Sequence, residues 1–160
     1  MVERVLITTA DENTWIENEP VVFLGEWCKR FSRKNKWEKL DSITVPHHWD
    51  DGSKFKGDYL YLNKVYEDML IDFVDYLNNF HSVNYSIRYW RILIGPWLGV
   101  FIQVLFDRMT MLDVAVKNYE IKECIALEGN IDELVPKDGI EFNLSLIHIS
   151  EPTRLLSISY

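Results

Sequence analysis

Three short apolar runs, each stopped by turn or polar residues, set the strongest limit on what this chain can fold into. Residues 4–8 carry Val5, Leu6 and Ile7 and run into Thr8-Thr9. Residues 21–24 carry Val21, Val22, Phe23 and Leu24 and stop at Gly25. Residues 42–45 carry Ile43 and Val45 and stop at Pro46. Continuous apolar runs of this length, bounded by turn residues, read as strands buried on both faces, the habit of a parallel sheet. Parallel neighbours need a crossover between them. Residues 27–40 supply one: apolar Trp27, Phe31, Trp37 and Leu40 suggest a partial helix with a basic solvent face. Residues 119–127 alternate weakly and read as a fourth strand.

Two long helices are expected after the third run. In residues 58–79 the apolar positions 59, 62, 66, 69, 70, 73, 74 and 77 keep the three-and-four spacing of one buried stripe. Glu67, Asp68, Asp72 and Asp75 lie off that stripe and should face water. Residues 86–116 form the second helix, with Ser86 as its cap. Within it, residues 92–106 contain only one strongly polar side chain, Gln103. A membrane-spanning helix needs about 20 apolar residues, and Arg91 and Asp107-Arg108 bracket this shorter run. It therefore reads as a buried core helix, interrupted at Gly95-Pro96, where proline removes a hydrogen bond and clashes with the preceding turn. The fold class expected is α/β: a partial, truncated Rossmann-like three-layer lobe of short parallel strands and two long helices.

Composition narrows the function. The chain has 160 residues, with six Trp, eight Tyr and eight Phe, too aromatic for global disorder. Its net charge of −8 argues against nucleic acid as a partner. The two cysteines, Cys28 and Cys124, cannot build a disulfide framework and suggest a reducing compartment. The short N-terminal apolar run is followed by Asp11 and Glu12, unlike a signal peptide, so the cytoplasm is the expected location. Neither a glycine-rich dinucleotide fingerprint nor a P-loop is present.

Each early strand is followed by residues able to do chemistry, and in open α/β sheets ligands bind beyond the carboxyl ends of the strands. Thr9 follows the first strand. Gly25, Glu26 and Trp27 follow the second, with Gly25 allowing a close approach and Glu26 available as a base or a partner for a sugar hydroxyl. His47-His48-Trp49-Asp50-Asp51 follows the third. His48 suits acid–base work near neutrality, while Asp50 and Asp51 suit either ligand contact or helix capping. Adjacent histidines on an extended strand point to opposite sides, so no metal site is expected. Arg88 and Arg91 stand three apart on one helix face and suit phosphate or a paired acid, with Asp107 a candidate partner. Trp27 and Trp49 suit stacking on a sugar ring or packing in the core. Trp90, Trp97 and the 92–106 surface offer a peripheral membrane contact.

Several motifs occur in an order that resembles a known group: Phe23-Leu24-Gly25-Glu26-Trp27-Cys28, Val45-Pro46-His47-His48-Trp49-Asp50-Asp51, and Arg88-Tyr89-Trp90-Arg91-Ile92-Leu93-Ile94-Gly95-Pro96-Trp97-Leu98. Leu6-Ile7-Thr8-Thr9-Ala10 and Phe106-Asp107-Arg108 fit as well. Over residues 4–112 the chain is similar to the N-terminal part of large bacterial transferases associated with surface-carbohydrate (O-antigen) gene regions. The resemblance implies a two-lobed, glycosyltransferase-like enzyme that moves an activated sugar from a nucleotide-sugar donor to a carbohydrate acceptor. This chain would be the N-terminal lobe, with no cofactor of its own, and the C-terminal nucleotide-binding lobe would lie outside it. A non-catalytic carbohydrate- or partner-binding domain is the alternative. Catalysis would fall to Glu26 or His48, and Thr9, Gly25, Trp27, Trp49, Asp50, Arg88 and Arg91 would hold substrate.

Residues 144–160, beginning Leu144-Ser145-Leu146-Ile147-His148-Ile149-Ser150-Glu151-Pro152-Thr153-Arg154, resemble translated sequencing-adapter read-through. On that reading the native lobe is residues 1–143. Alone it would be marginal, with apolar surface exposed where the missing lobe belongs.

Overall fold

A computed structural model describes residues 2–16 and 18–125. The end of the expected fourth strand, residues 126–127, and the segment 144–160 lie outside the described residues. The chain divides into two compact units. One comprises residues up to His47 and from Met111 onward; the other comprises His48–Thr110.

The first unit is built on a sheet of four parallel strands. These are β1 (Arg4–Ile7), β2 (Val21–Phe23), β3 (Ser42–Thr44) and β4 (Ile121–Cys124). Their order across the sheet is β3-β2-β1-β4 and every pairing is parallel, so the fold class is α/β. The order β3-β2-β1-β4 is also that of the first strands in the doubly wound arrangement. Val5, Ile7, Val21, Val22 and Phe23 have no exposed surface. Burying such side chains stabilises by about 1.5–3 kcal/mol each, which explains why the two unbroken apolar runs take the two central positions. The third run does not share that burial. Ser42 and Ile43 of β3 are exposed, because β3 is the edge of the sheet among the described residues.

The crossovers contain less helix than the sequence suggests. Between β1 and β2 there is one 3-10 turn, Glu12–Thr14, capped by the Asp11 carboxylate on Asn13 N–H. Between β2 and β3 there are two more such turns and α1, a single helical turn at Lys34–Trp37. The basic residues there are mostly held by acids. Lys29 pairs with Glu26, Lys34 with Glu38, and both Arg33 and Lys36 with Glu12. The hydrogen bond from Lys36 is the main reason the Glu12 carboxyl sits below the usual carboxylate range. The connection from β3 to β4 carries the two long helices, α2 (Gly52–His81) and α3 (Ile87–Asn118). Only the end of α3 joins the sheet core, through buried Met111 and Ala115. Short parallel strands and two long helices are thus both present, as expected of a partial Rossmann-like α/β lobe.

In the second unit α2 and α3 pack through one stripe each: Leu62 and Leu70 from α2, Leu98 and Ile102 from α3, with Trp49, Tyr66, Phe73 and Phe106 around them. The stripe expected on α2 is buried or half-buried except at Tyr59, which is 56% exposed. The helix begins earlier than its apolar spacing implies because Asp51 caps it. Its carboxylate accepts from Ser53 N–H at 2.9 Å, Ser53 Oγ at 2.7 Å and Lys54 N–H at 3.5 Å.

The expectation of a buried core helix over residues 92–106 holds for one face only. Burial follows Gly95, Leu98 and Ile102, at intervals of three and four, whereas Ile92 is 71% and Leu93 60% exposed. Only 17% of the most apolar window of α3 is buried. Hydropathy reports what a side chain prefers, and one helical neighbour covers only one face. The expected break at Gly95-Pro96 is also absent, since α3 runs through Pro96. Gly95 has a packing role instead. A Cβ there would lie 2.5 Å from the hydroxyl of Tyr66.

Candidate functional site

In the sheet unit, β1 and β2 are adjacent and parallel, so the segments leaving their carboxyl ends share one rim. There the carbonyls of three consecutive residues are taken up by side chains. Cys28 Sγ lies 3.4 Å from the Ile7 carbonyl, Trp27 donates its indole N–H to Thr8 at 3.3 Å, and Trp15 donates to Thr9 at 3.3 Å. The Thr9 hydroxyl is 3% exposed as a residue, accepts from Asp11 N–H at 3.1 Å and lies 3.4 Å from Thr14 Oγ1. Thr9 therefore holds the rim together from inside.

Gly25 is where the second strand turns onto this rim. Its φ of −174° is ordinary extended backbone, so the need for glycine comes from space. The indole of Trp27 folds back over it, and a Cβ would stand 2.0 Å from Trp27 Cζ3. Trp27 is half-buried in consequence. Glu26 points the other way, with a side chain 78% exposed that meets Lys29 Nζ at 2.8 Å. It is the carboxylate presented to solvent immediately after β2.

In the helical unit, His48 is the centre of a polar cluster under Trp49 and Phe106. Its side chain is 1% exposed. Lys54 Nζ lies 3.2 Å from Nδ1. An ammonium only donates, so Nδ1 is an acceptor and the ring proton is assigned to Nε2, which donates to Asp107 Oδ1 at 3.0 Å. Asp107 also accepts from Arg108 at 2.8 Å. Lys54 pairs as well with Asp58, which accepts the Trp49 indole N–H at 2.9 Å. Burial raises the Asp58 carboxyl, but the hydrogen bonds from Lys54 and Trp49 outweigh it and hold the group below its ordinary range. The rings of His48 and Trp49 are 4.5 Å apart. Trp49 is thus packed between polar and aromatic neighbours, and Asp50 beside it is exposed.

The two arginines separate. Arg91 forms a two-pronged ion pair with Glu67, at 2.5 and 2.6 Å, and that carboxylate pushes the guanidinium up. Asp107, the partner expected for these arginines, is used by His48 and Arg108 instead. Arg88 is exposed. Beside Arg91 lies a groove of about 390 Å³ lined by Asn63, Tyr66, Gly99 and Gln103. Sequence reasoning does not group Lys54, Asp58 and Asp107 with His48. The i,i+4 spacing of Lys54 and Asp58 is the one local signal available.

The amino-acid sequence matches a known family. The LIC12162 family transferase matches residues 4–152. The chain belongs to this family. Group transfer in general is accordingly the class of activity. No curated protein and no solved structure matches the chain.

Proposed function

We propose that this member of the LIC12162 family is the N-terminal lobe of a cytoplasmic glycosyltransferase-like enzyme of bacterial surface-polysaccharide assembly. It moves a sugar from a nucleotide-sugar donor to a carbohydrate acceptor, with the nucleotide held by a C-terminal lobe beyond this chain. One observation carries the proposal. β1 and β2 are adjacent and parallel, and the Gly25-Glu26-Trp27 turn leaves β2 tied to the end of β1 by the Trp27–Thr8 hydrogen bond. That is the rim where open α/β sheets bind ligands.

Glu26 is the base in this proposal, deprotonating the acceptor hydroxyl, because its carboxylate is 78% exposed and free to meet an acceptor beside its one contact with the half-buried Lys29. His48 is less suited, with both ring nitrogens engaged. It serves as a positioning residue of the helical unit. Trp27, fixed over Gly25, offers a ring face for a sugar.

The test is nucleotide release by the full-length protein against a panel of UDP-, GDP- and CMP-sugars with carbohydrate acceptors. Glu26→Gln is expected to lower release by about 100-fold, the scale of a lost general base. Unchanged turnover in that variant, or no release from any donor, overturns the proposal. A second reading, a non-catalytic carbohydrate-binding module, draws on the internal engagement of Thr9 and of the carbonyls around it. It predicts acceptor binding by the full-length protein with no nucleotide release.

A further inference from the structure

We propose that the turn between α2 and α3 is a docking tip for an anionic lipid bilayer. This inference stands independently of the sugar-transfer reading. The turn is a built structure. Ser82 closes α2 in the left-handed conformation (φ 53°, ψ 42°). Val83 N–H bonds back to the Asn78 carbonyl at 3.0 Å. The Asn78 amide then staples the next helix. It donates to the Tyr85 carbonyl at 3.0 Å, accepts from Tyr85 N–H at 3.0 Å, and accepts the Trp90 indole N–H at 2.9 Å. Trp90 is thereby only 5% exposed, which corrects its expected place on the membrane-facing surface.

What this scaffold presents outward is apolar and aromatic. Phe80 is 69% exposed, Tyr76 61%, Tyr85 46%, Tyr89 44%, Ile92 71% and Leu93 60%. The rings are continuous. Tyr76 stacks on Phe80, Phe80 meets His81, His81 stacks on Trp90, and Trp90 meets Tyr85 and Tyr89. Since the ordering is already paid for by Asn78, the tip loses little freedom on docking.

Charge selects the partner. From Tyr76 to Phe106 the sequence contains no Asp or Glu, although the chain as a whole carries −8. Arg88 is exposed at the tip, and no ion pair holds it among the described residues. Asp72 and Asp75 are exposed on α2 within a turn of Tyr76, and beyond them the tip presents tyrosines, apolar side chains and an arginine, a set that suits the headgroup–acyl boundary of an anionic bilayer. The depth expected is interfacial, about 5–10 Å, with the protein lying on the membrane rather than crossing it.

The experiment is flotation of the full chain with vesicles of phosphatidylcholine and phosphatidylglycerol, against vesicles of phosphatidylcholine alone. Binding is expected to the anionic vesicles. Phe80→Ser with Leu93→Ser should weaken it at least tenfold, with helix content by circular dichroism unchanged. Arg88→Glu should weaken it about fivefold or more, and more strongly at low salt. If a variant loses helix content, the wild-type chain decides: brominated phosphatidylcholine mixed with phosphatidylglycerol should quench part of the tryptophan emission. The proposal is overturned by no binding and no quenching on anionic vesicles. It is equally overturned by binding that survives all three substitutions. Self-association by light scattering that disappears in the Phe80→Ser, Leu93→Ser variant, without vesicle binding, would assign the tip to a second copy and also overturn it.

Discussion

His48 and Asp107 face each other across 3.0 Å, one from the segment before α2 and the other from α3, and the histidine side chain is almost completely enclosed. Removing one member leaves the other's polar atom buried without its partner. Asp107→Ala is expected to destabilise the protein by about 1–3 kcal/mol in urea unfolding. Nitrogen chemical shifts of His48 should report the proton on Nε2, with Nδ1 accepting from Lys54.

Gly25 is held by the Trp27 ring. Gly25→Ala should cost about 1–3 kcal/mol through overpacking. Gly25→Ala combined with Trp27→Leu should cost less than the sum of the two single changes, because the smaller side chain makes room for the methyl. Additive losses in a denaturation double-mutant cycle would contradict the contact.

Helix α3 has a packed stripe and a bare face. Leu98→Ala, at a fully buried position, should cost about 2–5 kcal/mol. Leu93→Ala, five residues earlier in the same apolar run and mostly exposed, should stay within about 0.5 kcal/mol. Equal losses at the two positions would restore the buried-helix expectation.

Acid should loosen the helical unit. The carboxyls of Asp58 and Asp51 both sit below their ordinary values. Asp58 is held against its own burial by Lys54 and Trp49, and Asp51 mainly by Ser53. A lowered folded-state pKa contributes stability above the unfolded value, and that contribution is lost as pH falls through the folded one. The melting temperature should therefore hold steady down to pH about 5 and fall below about 4. Asp58→Asn should flatten that fall while lowering stability at neutral pH.

The thiols should differ. Cys28 is fully buried and Cys124 exposed. Burial nevertheless pushes the Cys124 thiol up, offset in part by a hydrogen bond with Thr8. One thiol per native chain should react with Ellman's reagent, and its rate should keep rising beyond pH about 8.5. Two thiols reacting without denaturant would show that Cys28 is not enclosed.

The sheet was legible because burial on both faces leaves a short unbroken apolar run that ends at turn residues. β1 and β2 show that rule, while β3 shows its limit: Ile43 is as apolar as its counterparts yet lies at an edge. The stripe of α2 was legible for the same local reason. The start of that helix was not, since Gly52 to Gly57 has no apolar spacing and depends on the Asp51 cap. The outward face of α3 was illegible because periodicity is lost when every position is apolar. At the rim, Thr9, Gly25 and Glu26 could be chosen as strand-end residues, but the Trp27–Thr8 bond that ties two ends together is set by tertiary packing. The His48 cluster needed three elements brought together, and no spacing in the chain encodes that.

The register of β4 against β1, Arg4 beside Ile121, has a consequence for how the protein is made. As the ribosome releases the chain, β1 emerges early and β2 joins it soon afterwards. The opposite side of β1 then waits, its backbone groups unsatisfied, until both long helices have been synthesised. Sequence-distant parallel pairing of this kind is slow to form and leaves an open edge prone to wrong partners. Expression at low temperature, or with chaperones that shield nascent strands, should therefore raise the soluble yield more than any change to the surface of the finished molecule.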